Sequence, residues 1–494
     1  MHFTLLDGVI VAVYLLGVAW FGIRSGGRQT SARDYFLSES AVPWWAVCLA
    51  IVATETSALT FLSIPGVAYI GNMHFLQVAF GYLLGRIIVA FVFIPRSFAG
   101  EMTTAYAFLG ARFGRSMRTS ASITFMGTRL LADGVRLYTT AIPLALLLHG
   151  FAMLPGVSDH VIYVAAIVLL SILTMIYVYF GGVRAVIWTD VMQLVVYILG
   201  AIATLFVFDS LLPGGIIPSI FNPDLATKFS MINPGWTGSI GELFGTPYTL
   251  PASLLGGAFL SMASHGTDQL IVQRVLATQS VHGAQRAMIW SGVIVIVQFF
   301  LFLLIGVFLY AHLGPGLEAN AVFAKFILTE LPTGLTGLIL AGILAAAMST
   351  LSGSISALAS ATILDIIIPA TGSQWDDAMT LRRSRLVSVA WCIAIVLAAT
   401  LFISTPSTVI ELALSIASFT YGGLLGAFLL GMLVARARER DALVGFFSGI
   451  AGMTAIIMFT PIAWTWYTLI GSAITLTVGL LSSSIRSTPP GDAA

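Results

Sequence analysis

Charge is what this sequence has least of. Asp, Glu, Lys and Arg make up 9% of its 494 residues, where a soluble domain carries roughly 25%. The formal net charge is +1 and no basic tract occurs, which argues against nucleic acid as a partner. Cysteine is nearly absent. Cys48 and Cys392 both sit in apolar runs and read as small core residues, so neither a disulfide framework nor a thiolate metal centre is expected. The few histidines include no pair at metal spacing, and no cluster of nucleophile and base stands out. The chain is therefore not read as an enzyme.

Apolar residues fill the space that charge leaves. They make up 58% of the chain, with a mean hydropathy of +0.99, which is the composition of a polytopic all-α membrane protein. The N-terminus lacks a basic region before its apolar run and a small-residue cleavage site after it, so it reads as a retained first span. Runs bounded by Gly, Pro and charge predict thirteen transmembrane helices, near 4–24, 42–71, 75–97, 119–148, 158–180, 184–208, 250–275, 284–312, 335–368, 381–404, 407–435, 441–461 and 463–483. With the N-terminus outside and the C-terminus cytoplasmic, seventeen of the 22 Lys and Arg residues fall on the cytoplasmic side. Only Lys228 and Lys325 fall in outside loops, and Arg86, Arg129 and Arg136 lie within spans. The expected location is the cell's inner (plasma) membrane. The long Pro- and Gly-rich outer loop reads as a cap or lid, a short helix is expected over Ala319 to Leu331, and the tail RSTPPGDAA as a disordered end.

Hydroxyls inside a span come next. Gly342 to Asp365 carries Ser349, Thr350, Ser352, Ser354, Ser356 and Ser360, too many for a lipid-facing surface. Ala346, Ser349, Thr350, Gly353 and Ala357 share one narrow face, suited to close helix packing or to coordinating a small hard cation. Two other spans look interrupted. One holds Thr54, Glu55, Thr56, Ser57 and Thr60 ahead of Pro65-Gly66; the other holds Ser261, Ser264, His265, Gly266, Thr267, Asp268 and Gln269. Paired breaks in two halves point to a midplane site in a transporter built from inverted repeats. A channel does not need this arrangement.

At these residues the chain resembles the sodium:solute symporter family. The resemblance runs through FGGVRAVIWTDVMQ at 180–193, GTDQLIVQR at 266–274, AAAMSTLSGSISALAS at 345–360 and ELALSIASFTYGGLLGAFLLG at 411–431. It implies a leucine-transporter-like five-plus-five inverted repeat. The first span and its loop then cover 1–41, the first repeat 42–208, an extracellular loop 209–249, the second repeat 250–435, and two further spans with the tail 436–494. It implies sodium as the co-transported ion, and a principal sodium site made of the Ala53, Thr56 and Ala346 carbonyls with the Ser349 and Thr350 hydroxyls. A second sodium would use Asp190 and Ser352, but Gly353 stands where that pattern has a hydroxyl. The partners expected are sodium, a small organic solute and the bilayer, with no obligate protein partner evident. The alternatives are a sodium/sugar or polyol symporter, or a transporter-like sensor that binds without moving solute.

Ionisable residues within spans are expensive and so are candidates for function. Arg129, Asp133 and Arg136 stand on one face of the fourth span. They form either a self-contained network or one in which Asp133 orients an arginine while Arg136 takes a solute carboxylate. Glu55 is placed either to bind solute or to pair with Arg86. Ser57, Thr60, Ser261, His265 and Tyr421 complete the expected solute contacts; His265 matches a position where relatives contact substrate, and Tyr421 lies in the SFTYGG motif.

Overall fold

The computed structural model describes residues 4–100, 102–150, 157–235, 239–371, 376–403 and 409–485; the tail beyond Ile485 lies outside them, as do the side chains of 58, 59, 143–150, 159, 320 and 409–419. The described residues are helices and connecting loops, without strands. We number the long helices α1 (Leu5–Gly26), α2 (Trp44–Glu55), α3 (Ala58–Ile70), α4 (Met73–Ala99), α5 (Arg115–Gly150), α6 (Asp159–Leu211), α7 (Gly257–Gly266), α8 (Gln269–Leu276), α9 (Val281–Leu313), α10 (Ala319–Thr329), α11 (Leu335–Ser360), α12 (Asp377–Leu401), α13 (Val409–Leu433), α14 (Glu439–Phe459) and α15 (Tyr467–Ile485). Eight helices among the described residues are long and apolar enough to cross a bilayer, and the bent pair α2 and α3 makes a ninth.

Two features of the sequence shape the helices nearest the site. The FGG turn lets α6 fold on itself: Gly182 sits at φ +56°, and a Cβ there would lie 2.6 Å from the Tyr35 carbonyl oxygen. One 53-residue helix thus becomes two spans' worth of chain meeting at a kink. In α2 the helix stops at Glu55, Thr56 turns to φ −86° and ψ 90°, and Ser57 caps α3 by accepting from the Thr60 amide. The axes of the two halves differ by 62°.

The hydroxyl-rich α11 is the central post. Within its span, 94% of the apolar window is buried inside the protein, against 28% for α14 at the periphery. It packs along α6 and α1, and its N-terminus is fastened by Asp7 of α1, whose Oδ1 accepts from the amides of Gly334 and Gly337 at 2.8 and 2.9 Å. Lipid supplies no hydrophobic drive for helices to associate, so close contact rests on small residues. Gly81 and Gly85 of α4 let that helix run against the backbone at Ser253 and Ala258, beside α7. The connection after α6 is tied to α3 and α4, with Lys228 Nζ donating to the Tyr69 carbonyl at 2.7 Å and Gln77 Nε2 to that of Tyr248 at 2.9 Å. The short helix expected after Pro315 is α10.

Candidate functional site

The break between α2 and α3 leaves the carbonyls of the last α2 turn without the amides a continuous helix would bring. Opposite them lie α11 and the second half of α6. Between these elements is a cavity of about 10 Å³ lined by Ala53, Thr56, Gln193, Leu194, Tyr197, Ala346 and Ser349, room for about one water or one bare ion. Thr56 is held in place at both ends of its hydroxyl: Oγ1 donates to the Val52 carbonyl at 2.8 Å and accepts from Gln298 Nε2 at 2.6 Å. Ser349 Oγ donates to Asp190 Oδ1 at 2.6 Å.

Asp190 is fully buried and heavily engaged. Its Oδ2 accepts from Arg274 Nε at 3.2 Å and Nη2 at 2.9 Å. The Arg274 guanidinium also lies against Gly353, where a Cβ would run into Nη2. Ser352 Oγ donates to the Ser349 carbonyl at 3.0 Å. The hydroxyl absent at Gly353 thus makes room for a guanidinium beside Asp190.

The stripe on α11 is divided rather than shared. Thr350, one residue on from Ser349, lines a different cavity of about 10 Å³ with Ser57, Asp133, Arg136, Leu137, Thr140, Ala347 and Leu351. Successive helical residues point about 100° apart, so the two hydroxyls look into neighbouring spaces. Thr350 Oγ1 also donates to the Ala346 carbonyl at 3.1 Å, which joins the two.

The three charges of α5 separate as well. Arg129 reaches out of its helix: Nη2 donates at 3.0 Å to Oδ2 of Asp268, which also accepts from the Tyr421 hydroxyl at 2.8 Å and caps α8 through the Leu270 amide at 2.9 Å. Asp133 lies 3.7 Å from Arg129 and accepts from Arg136 Nη1 at 3.2 Å. Arg136, with 27% of its side chain exposed, is the arginine that faces the cavity with Ser57 and Thr350.

A third cluster joins the two broken helices. Glu55, at the end of α2, pairs with Arg86 of α4, and Arg86 Nη1 donates to Ser291 Oγ at 2.7 Å. His265, at the end of α7, has Nε2 3.9 Å from Glu55 and Nδ1 2.8 Å from Ser264 Oγ. Ser261 is buried on the same helix, its hydroxyl without a hydrogen bond. Thr60 Oγ1 lies 3.3 Å from Ser57 Oγ. Of the solute candidates, Ser57 and Arg136 line one cavity, Glu55 pairs with Arg86 and lies 3.9 Å from His265, Ser261 packs against Gly85, and Tyr421 bonds to Asp268. Sequence reasoning did not single out Gln193, Arg274, Tyr197 or Gln298. The first two end the motifs WTDVMQ and GTDQLIVQR, and their chemistry was the available signal; a lone Gln or Tyr in an apolar span gave none.

A family model described as "Sodium:solute symporter family" matches residues 35–452. The sodium/sialic acid symporter NanT of Aliivibrio fischeri is 27% identical over 97% of this chain and 93% of its own length. The sodium/sialic acid symporter SiaT of Proteus mirabilis is 29% identical over 98% and 95%. Among solved structures, the substrate-bound outward-open state of a Na+-coupled sialic acid symporter superposes with a TM-score of 0.86 at 28% identity, covering 98% of both chains.

Proposed function

Because this chain belongs to the sodium:solute symporter family, we propose that it imports a carboxylate-bearing solute with sodium and that Arg136 receives the carboxylate. It is a multi-pass membrane protein and a sodium-coupled secondary active symporter, not an enzyme. The sialic acid named for its relatives is an acidic sugar, and that class is the solute we assign here.

The observation that carries the assignment is the division of labour among the buried charges. Glu55 is spent on Arg86 and Asp268 on Arg129, so neither carboxylate pairs with Arg136. Asp133 alone faces Arg136, and it also lies beside Arg129. With Asp268 on Arg129 the charges balance, but Arg136 meets Asp133 through Nη1 alone, and the rest of its guanidinium, 27% exposed, faces the cavity; a solute carboxylate offers that fork a matching planar pair of oxygens. Ser57, Thr140 and Thr350 around the same cavity are hydroxyls suited to a polyhydroxylated body. That cavity is about 10 Å³, while a small-molecule site runs to roughly 300 Å³ or more, so the solute enters by a rearrangement of the helices around it.

Sodium, in this reading, sits where the α2 break meets α11. The oxygens are the carbonyls of Ala53, Thr56 and Ala346 and the hydroxyl of Ser349, with Thr350 between ion and solute. A hard cation prefers such oxygens, and converging carbonyl dipoles hold it without a net charge. The Ser349 hydroxyl donates its hydrogen bond to Asp190, which leaves its oxygen lone pairs free for the ion. Asp190 and Ser352 bind no second sodium, because the Arg274 guanidinium fills that place. We further assign thirteen spans, with the N-terminus outside and repeats over 42–208 and 250–435. The matched breaks at Thr56 and Thr267 support this assignment.

The test is a binding screen on the purified protein over sialic acid, glucose, amino acids and monocarboxylates, with and without sodium. Sialic acid binding that strengthens with sodium supports the reading; preference for an uncharged sugar refutes it.

A further inference from the structure

Two polar side chains that the sodium reading does not use border the cavity at the α2 break: Tyr197, whose Oη accepts from Gln298 Nε2 at 3.4 Å, and Gln193. Gln193, on the second half of α6, is 1% exposed and lines that cavity with Ala53, Thr56, Ala346 and Ser349. Neither its Oε1 nor its Nε2 has a hydrogen bond. A buried amide oxygen without a donor is costly, of order 1–3 kcal/mol, and so requires an explanation. The space beside it has room for about one water or ion, at about 10 Å³.

Thr350 sharpens the point. It lines the neighbouring cavity with Arg136, so the sodium space itself is bordered by the three backbone positions, Ser349, Gln193, Leu194 and Tyr197. Thr56 cannot add its hydroxyl, which is engaged with Val52 and Gln298. An amide oxygen is a neutral hard donor of the same character as a backbone carbonyl, and it keeps the site free of net charge.

We propose that Gln193 is a sodium ligand, its Oε1 completing the oxygen set supplied by the α2 break and α11. This rests on the sodium site placed above, and the experiment separates the two. Sodium binding to the purified full chain is measured without solute, by titration calorimetry and by the sodium-induced rise in melting temperature, for Gln193→Leu, Gln193→Met and Ser349→Ala. Replacing an unpartnered buried amide by an apolar side chain of similar size leaves the sodium-free melting temperature unchanged or higher. The expected result for both Gln193 variants is that, together with at least a tenfold weaker sodium affinity and a correspondingly smaller sodium-induced shift. Met supplies a flexible apolar side chain should branched Leu fail to fit. If Ser349→Ala weakens sodium binding while both Gln193 variants bind it normally, the ligand assignment is overturned and the site stands. If all three bind sodium normally, the site itself is misplaced and the proposal falls with it.

Discussion

Ser349 Oγ donates to Asp190 Oδ1 at 2.6 Å across the contact between α11 and α6, and the same carboxylate is clasped from its other oxygen by Arg274. A hydroxyl has one proton and two lone-pair sites. Committing the proton to Asp190 makes Ser349 an acceptor toward anything in the neighbouring cavity. In the proposed sodium site, Asp190 would thus orient the Ser349 hydroxyl toward the ion without itself being a ligand.

The pair Asp190–Arg274 is buried, with side-chain exposures of 0% and 1%. Removing one member leaves the other charged and alone, which costs about 3–5 kcal/mol. Asp190→Asn should therefore lower the melting temperature sharply, and the double variant Asp190→Leu with Arg274→Met should recover most of it. Thermal unfolding followed by intrinsic fluorescence checks this. Equal melting temperatures for wild type and Asp190→Asn would contradict the pairing.

Gly353 is predicted to be intolerant of any side chain. A methyl group there strikes the Arg274 guanidinium, which is pinned by Asp190 and by the Leu270 carbonyl and cannot swing clear without breaking those bonds. Gly353→Ala should cost about 1–3 kcal/mol, the range for overpacking. A melting temperature unchanged from wild type would show that the guanidinium has another resting place.

Ser349 and Thr350 should differ although they are adjacent. Ser349→Ala is expected to raise the half-saturating sodium concentration at least tenfold, while solute affinity at saturating sodium stays near normal. Thr350→Ala is expected to shift the solute and sodium values together, because its hydroxyl lines the Arg136 cavity and bonds to the Ala346 carbonyl. Identical profiles for the two variants would refute the division of the stripe.

Stoichiometry follows from Arg274. With the guanidinium beside Asp190, the sodium dependence of uptake should have a Hill coefficient of one. A wild-type value clearly above one, falling to one in Asp190→Asn, would show a second ion there after all.

The helical class, both helix breaks and the hydroxyl stripe were legible in the residues, because polar groups and Pro-Gly within a hydrocarbon-length run have few explanations. Glu55 was ambiguous for a physical reason. Its partner Arg86 lies 31 positions away, and only the packing of α4 against the end of α2 settles the choice. Arg129 was read with its helical neighbours at i+4 and i+7, the only distances a sequence specifies. Its principal bond goes to Asp268, 139 positions on, at the start of the second broken helix's outgoing half. Gln193 and Arg274 were visible in the motifs, but their part depends on which side of α6 and α8 meets α11. The split between Ser349 and Thr350 likewise depends on what lies opposite each.

In the proposed function a sodium gradient drives in a carboxylate-bearing solute held by Arg136. The most direct measurement is uptake of labelled sialic acid into proteoliposomes under an inward sodium gradient, for wild type and Arg136→Lys. Lysine keeps the charge but loses the two-pronged fit to a carboxylate. The account predicts concentrative, sodium-dependent uptake by wild type and a half-saturating concentration at least tenfold higher in Arg136→Lys, about 1.4 kcal/mol of lost binding, with sodium binding alone intact. Uptake by Arg136→Lys indistinguishable from wild type, or accumulation that ignores the sodium gradient, would contradict it.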